Sequence, residues 1–281
     1  MQRMLWELEQ FAEESNITFS TDPIPSKSKT KCIYMVGKKR HLVKPAALVL
    51  CGRELPFVQQ ADHLGNLLTD QGDMEQDAAV KRAKFIRSSV EVRVMFKFAA
   101  PAEVVKALKI HCSSFYGSCL WDLDGDKAKQ VFTAWNTSVK LAWGCSQQTR
   151  TYFLQQMLSC GHTSARVDIL SRFVKFFNSL RNSASYEVQV MSRLQARDIQ
   201  SVTGRNLKLI QGLTGQNPWT TSYRRLKEAL IEEELVEVPV MDRWRLPYLS
   251  NLLSQRSLAH YLATEEDEKE LTKLIDSLVM N

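Results

Sequence analysis

Asn16-Ile17-Thr18-Phe19-Ser20-Thr21-Asp22-Pro23-Ile24-Pro25-Ser26-Lys27-Ser28-Lys29-Thr30-Lys31-Cys32-Ile33-Tyr34 is the stretch from which the fold is read, and the run it opens closes on Ala61-Asp62-His63-Leu64-Gly65. Ahead of it, Met4, Leu5, Leu8, Phe11 and Ala12 fall on one side of a 3.6-residue period, which predicts an amphipathic helix. Two prolines then punctuate a lysine-bearing loop, and residues 32–36 have the composition of a short strand. Residues 47–51 and 55–58 flank Gly52-Arg53-Glu54 and read as a hairpin, followed by an extended piece that ends at His63-Leu64-Gly65. Helix, basic loop and short antiparallel strands together make residues 1–70 a small α+β piece.

From Gly72 onward the period is helical. Asp73 reads as an N-cap, and Ala79, Ala83, Ile86, Val90 and Val94 recur every three or four residues along one long helix. Pro101, at a first helical position, opens a second helix through Val104, Leu108, Ile110 and Phe115 toward Gly117. A third covers 128–143, with Val131, Phe132, Trp135, Val139 and Trp143 on its apolar face. The expected core of these three helices contains Ile86, Val90, Phe115, Val131 and Trp135. Further helices are expected at 149–158, 165–180, 188–198 and 207–213, with polar joints at 161–164, 182–185 and 203–206. Beyond Gly215 the chain turns acidic, with Glu232-Glu233-Glu234 and Glu265-Glu266-Asp267-Glu268. The expected fold is therefore mostly α, with a small α+β N-terminal piece, and the expected divisions are 1–70, 71–145, 146–214 and 215–281.

A chain of 281 residues with 44% apolar content has ample material for a buried core. Its net charge of +6 and pI near 9.0 suit an acidic partner, of which nucleic acid is the commonest for an intracellular protein. Six scattered cysteines, and no signal peptide at the start, are expected of thiols in a reducing compartment, cytoplasmic or nuclear. Charged residues interrupt every apolar run before it reaches the roughly 18 to 20 residues of a membrane span, so no membrane partner is expected.

The order of these pieces resembles the end of a reverse transcriptase from a non-LTR (LINE-type) retrotransposon. In that family a helix, a Phe-Ser/Asn…Lys-Ser/Thr loop, a strand and a hairpin containing Leu-Gly follow the catalytic aromatic-Ala-Asp-Asp turn. Residues 114–123, Ala134-Trp135-Asn136, residues 139–143, Arg172-Phe173-Val174-Lys175-Phe176 and Thr203-Gly204-Arg205-Asn206-Leu207 are similar to the region beyond the thumb. The resemblance runs from about Met4 to about Ile210. It implies that 1–70 is a remnant of the palm, 71–145 a helical thumb and 146–214 a helical extension. It also implies an RNA-directed DNA polymerase that works on RNA or an RNA–DNA hybrid with Mg²⁺ in the complete enzyme. No Asp-Asp pair occurs anywhere in the 281 residues, and the resemblance puts that turn ahead of Met1. Two-metal polymerisation needs those carboxylates, so the chain is expected to hold no metal of its own and to lack catalysis alone.

Lys27, Lys29 and Lys31 alternate with Ser28 and Thr30, so an extended loop points all three the same way. In the resembled family one lysine of this loop lies near the triphosphate and can protonate pyrophosphate, a role worth roughly 10²- to 10⁴-fold. Lys29 is the first candidate and Lys27 the second, against the alternative of a solvated basic loop, which is preferred for activity in this chain. His63, Leu64 and Gly65 sit where the resemblance puts a primer grip. Lys81, Arg82, Lys84 and Arg87 on the first long helix are candidate phosphate contacts, with a solvated helix surface as the alternative. Asp122, Asp124 and Asp126 start like an EF-hand, but the sixth position is Lys127 and the twelfth is Thr133, which excludes that site, and Asp122 or Asp124 is expected instead to cap the next helix. A zinc knuckle is excluded as well, because Cys112 and Cys119 are seven apart and Cys160-Gly161-His162 has no paired ligands. No histidine sits in a nucleophilic triad pattern. Two functional readings follow: a polymerase fragment that binds primer-template, completed by a missing catalytic half, or a non-catalytic helical interaction protein derived from a transposon remnant and bound to another protein.

Overall fold

The structure is a computed structural model that describes residues 1–22, 24–35, 46–72, 74–145, 147 and 163–236. The chain divides into two units, Met1–Asp77 and Ala78–Asn281. It is mostly helical, with an N-terminal helix and two small antiparallel two-stranded sheets, as the composition and periodicity predict.

In the first unit, helix α1 (Gln2–Glu14) lies against a hairpin of β1 (Val49–Leu50) and β2 (Arg53–Glu54). The Gln2 side-chain amide does the work of a strand partner: Nε2 donates to Val49 O at 2.8 Å and Oε1 accepts from Val49 N at 3.0 Å. Glu9 Oε1 accepts from the Cys51 amide. The docked face is therefore Gln2, Leu5, Glu9 and Ala12, about a quarter turn from the expected one. Of the expected stripe Ala12 is buried, while Met4, Leu8 and Phe11 remain exposed. The hairpin turns at Cys51-Gly52, not across Gly52-Arg53-Glu54. Both turn residues have positive φ, 51° and 69°, the signature of a type I′ turn. A second hairpin repeats the device, with β3 (Gln60–His63) and β4 (Asn66–Thr69) joined by Leu64 and Gly65 at φ of 49° and 78°. Cys32 makes one parallel bridge with Phe57, and Val36 lies outside the described residues.

Helix α2 (Glu75–Met95) starts at the end of the first unit, where the buried Asp77 carboxylate accepts from Leu67 N at 2.9 Å. The rest of α2 belongs to the second unit. There follow α3 (Pro101–Ala107), which widens into a π turn (Leu108–Cys112), a 3₁₀ turn (Ser118–Leu120) and α4 (Asp126–Ala142). Next come α5 (Ala165–Arg181), α6 (Tyr186–Arg197), α7 (Val202–Thr214) and α8 (Tyr223–Val236). Serine caps start α5, α6 and α7, where the side chains of Ser164, Ser185 and Ser201 accept from backbone N–H groups three residues on. Because Ser201 caps α7, Thr203-Gly204-Arg205-Asn206 forms its first turns and is not a joint. The Asp73 cap and the helix expected at 149–158 lie outside the described residues.

An aromatic cluster joins the first helices of this unit. Phe85 is 5.7 Å from Phe115 and 6.0 Å from Trp135, and Phe115 is 6.2 Å from Trp121. All four rings are buried, as is Val131. Ile86 and Val90, expected in this core, are 39% and 46% exposed, and Ala78, Phe85, Ser89 and Val92 are buried instead. The periodicity of α2 is ambiguous because apolar residues recur at helical spacing on both of its faces. Against α5, which buries Ile169, Leu170, Phe173 and Phe177, pack the 3₁₀ turn, α4, α6 and α8. Trp219 meets Phe177 edge-on at 5.1 Å, and Leu226 and Leu230 of α8 are fully buried.

Two stretches far apart in sequence lock together here. The fully buried Asn206 donates from Nδ2 to Trp121 O at 2.8 Å and accepts at Oδ1 from Leu123 N at 2.9 Å. Beside it, Arg205 reaches Asp122 Oδ2 through Nε at 3.1 Å and a terminal amine at 2.8 Å. Asp122 and Asp124, the expected caps of α4, are therefore engaged otherwise: the N-cap is Gly125, with no side-chain bond, and Asp124 pairs with Lys129 at 2.8 Å.

Candidate nucleic-acid interface

The lysine loop is held from inside by hydroxyls. Asp22 Oδ1 accepts from Ile24 N at 2.8 Å, an Asx turn at the loop's start. The buried Ser28 donates to Thr30 O at 2.6 Å, and Thr30 N donates to Ser20 O at 3.2 Å. Arg53 fastens the loop to the first hairpin by donating to Thr21 O at 2.8 Å. With Ser28 buried and Thr30 half-buried, the alternation predicted from sequence is realised: Lys27, Lys29 and Lys31 are all exposed.

These three lysines line an open cavity of about 670 Å³ with His63 and Asp62 of β3, backed by Ile33, Met35, Ala61 and Leu68. The volume lies within the roughly 300 to 1,000 Å³ of sites that enclose a ligand of drug or nucleotide size. Three ammonium groups against the single carboxylate of Asp62 give the cavity a positive balance. Leu64 and Gly65 are not among its lining residues. They form the adjoining tight turn, where Leu64 is 74% exposed. Sequence reasoning misses Asp62, Ile33 and Met35. The strand signal at 32–36 and the β3 pattern are the clues to them, but the stretch around Ile33 and Met35 is tied in by one bridge only, between Cys32 and Phe57, 25 residues apart.

The four α2 cations lie in the second unit and differ in their settings. Lys84 and Arg87 are exposed. Lys81 is half-buried, donates to Tyr116 O and sits 5.9 Å from the Trp121 ring, so it serves the helical packing. Arg82 is half-buried too, with its Nε enclosed and no hydrogen-bond partner.

Other titratable groups are structural. Lys109 pairs with Asp168 and donates to Thr163 O at 2.6 Å. Lys140 is buried and donates to Gln147 O at 2.8 Å, and desolvation pulls its ammonium below the usual lysine range. The five described cysteines carry free thiols, and burial pushes those of Cys32, Cys112 and Cys119 up, away from the reactive thiolate. Among the described residues no three His, Cys, Asp or Glu side chains gather to hold a metal ion. No described helix is long and apolar enough to cross a membrane.

Comparison with protein-family models, characterised proteins and solved structures found no match.

Proposed function

We propose that this chain binds the sugar–phosphate backbone of a nucleic-acid duplex, as the C-terminal part of a LINE-type RNA-directed DNA polymerase, and does not polymerise alone. The observation that carries the reading is the basic cavity lined by Lys27, Lys29, Lys31 and His63, four side chains that the sequence reading names, Lys31 from the alternation of the loop and the other three from the resemblance. Exposed ammonium groups on a loop pinned by Ser28 suit phosphates, which ask for charge and not for a shaped base pocket. Lys84 and Arg87 add exposed charge on the second unit. An RNA–DNA hybrid is the expected preferred ligand, measured by titration against duplex DNA at low salt. Binding below detection at low salt would leave the reading without support.

A second reading, a helical interaction protein, draws on one observation: Val80, Ile86, Val90 and Val94 form an exposed apolar stripe on α2. Pull-down of a protein partner that is lost on Val90→Asp and kept on changing Lys27, Lys29 and Lys31 to Gln would favour it.

A further inference from the structure

The exposed side of α2 is an ordered stripe. On a helical period Ala83, Ile86, Val90 and Val94 fall within one narrow sector and Val80 borders it, turned away from the buried Phe85, Ser89 and Val92. All five of these apolar side chains are exposed, and from Val80 to Val94 the stripe runs about 21 Å. Arg87 lies inside the stripe, Lys84 beside it and Lys97 just past its end, all three exposed, against the exposed carboxylate of Glu91. An apolar helix face set among cations suits an acidic amphipathic helix.

The chain's own sequence contains such a segment, outside the described residues. Thr264-Glu265-Glu266-Asp267 has the capping-box pattern, and Leu271, Leu274, Ile275, Leu278 and Val279 follow at the spacing of an amphipathic helix. On that period Asp267 and Glu268 are in line with the apolar sector and Glu270 borders it, whereas Lys269 and Lys273 take the opposite side. Negative charge is thus turned toward whatever the apolar face meets. From Glu265 to Val279 a helix is about 21 Å long, the length of the stripe. The 28 residues that separate Val236, at the end of α8, from Glu265 reach roughly 90 Å when extended. Helix α8 packs on α5, α5 on α4, and α4 meets α2 through Trp135 and Phe85, a path of about 8 to 10 Å per helix contact. The tether is therefore long enough.

We propose that residues 265–279 form an amphipathic helix that docks on the exposed stripe of α2 in the same chain. Leu271, Leu274, Ile275 and Leu278 lie against Ile86, Val90 and Val94, and the acidic residues at 265–268 face the cations around the stripe. Charge selects this occupant over a second copy of α2, because pairing two such faces sets Lys84, Arg87 and Lys97 against their own counterparts. The tether selects it over an outside partner, since a flexible link holds the segment near the stripe at a millimolar effective concentration. An outside protein of the kind the second functional reading needs has to displace it. The docking does not depend on nucleic-acid binding by the first unit.

The test uses the full chain with a photo-crosslinking side chain, p-benzoylphenylalanine, in place of Ile275 and, separately, of Leu271. After irradiation of the dilute protein, mass spectrometry should place the adduct on residues 80–94, in a product of single-chain mass. Val90→Asp with Val94→Asp should abolish that adduct, and changing Glu265, Glu266, Asp267 and Glu268 to their amides should lower its yield. Circular dichroism melts establish that each variant is folded, and the adduct map of the chain with α2 unaltered decides the matter even if a variant is not. An adduct on α2 found only in a product of two chains would assign the stripe to a second copy and overturn the proposal. Adducts confined to other parts of the chain or to another protein, no adduct from either position, or an α2 adduct that survives Val90→Asp with Val94→Asp in a folded chain would overturn it as well.

Discussion

Asn206 of α7 holds Trp121 from 85 residues away, its Nδ2 donating to the Trp121 carbonyl at 2.8 Å while its Oδ1 takes the Leu123 amide at 2.9 Å. A single buried carboxamide thus satisfies a loop that has no regular partner of its own. Asn206→Ala leaves a donor and an acceptor buried and unpaired, each at a cost of about 1 to 3 kcal/mol. Urea denaturation should show a loss of roughly 2 to 5 kcal/mol. A loss under about 0.5 kcal/mol would mean that the loop is not anchored there.

Gly204 lets the turn at Asp198-Ile199 fold back tightly on the first turn of α7. A Cβ at this position would collide with the Asp198 carbonyl and lie 3.2 Å from Ile199 Cα. Gly204→Ala should therefore lower the thermal midpoint, although alanine is intrinsically the better helix former by about 1 kcal/mol. A raised midpoint would contradict the packing.

Phe85 and Trp135 form one side of the aromatic core at a centroid distance of 6.0 Å. Trp135→Ala and Phe85→Ala should each cost about 3 to 5 kcal/mol. Val90→Ala, on the exposed face, should stay within about 0.5 kcal/mol. If Val90→Ala proved as costly as Phe85→Ala, the buried face of α2 would be the one its Ile86 and Val90 spacing suggests.

What is legible in the sequence and what is not divides along physical lines. Elements that rest on local rules are legible: Pro101 at a helix start, the aromatic spacing of α4, and the alternation of Lys27, Lys29 and Lys31 about Ser28. Choices settled by long-range packing are not. Helix α2 carries two apolar faces, and only Phe115 and Trp135 decide that Phe85 goes inward. Helix α1 docks through Gln2 and Glu9, polar residues that an apolar pattern cannot flag, because their partners are backbone groups of Val49 and Cys51. Asp122 reads as a helix cap, and its pairing with Arg205 depends on a contact across 83 positions. At the candidate site the basic residues are legible, whereas Asp62 enters from the β3–β4 hairpin and Ile33 and Met35 from the stretch that follows the single Cys32–Phe57 bridge.

Lys140 gives a pH signature. Desolvation lowers its pKa in the folded chain, so between that value and the unfolded one near 10.4 the unfolded state binds more protons. Its charged burial costs stability at neutral pH, and the cost is relieved as pH rises through that window. Lys140→Met removes the titration. Urea midpoints taken across alkaline pH should rise for the native chain relative to this variant, and parallel profiles would show that the ammonium is effectively solvated.

Salt-dependent binding to a duplex tests the central claim most directly. The chain should bind RNA–DNA hybrid at least as well as duplex DNA. On duplex DNA, changing Lys27, Lys29 and Lys31 to Gln should flatten the slope of log affinity against log salt by about 0.9 for each phosphate that is no longer neutralised. Lys84→Gln with Arg87→Gln should flatten it as well, for many sequences alike, whereas Lys81→Gln should act chiefly on stability through its bond to Tyr116. Undetectable binding at low salt, or a slope unchanged when the three loop lysines are neutralised, would contradict the account.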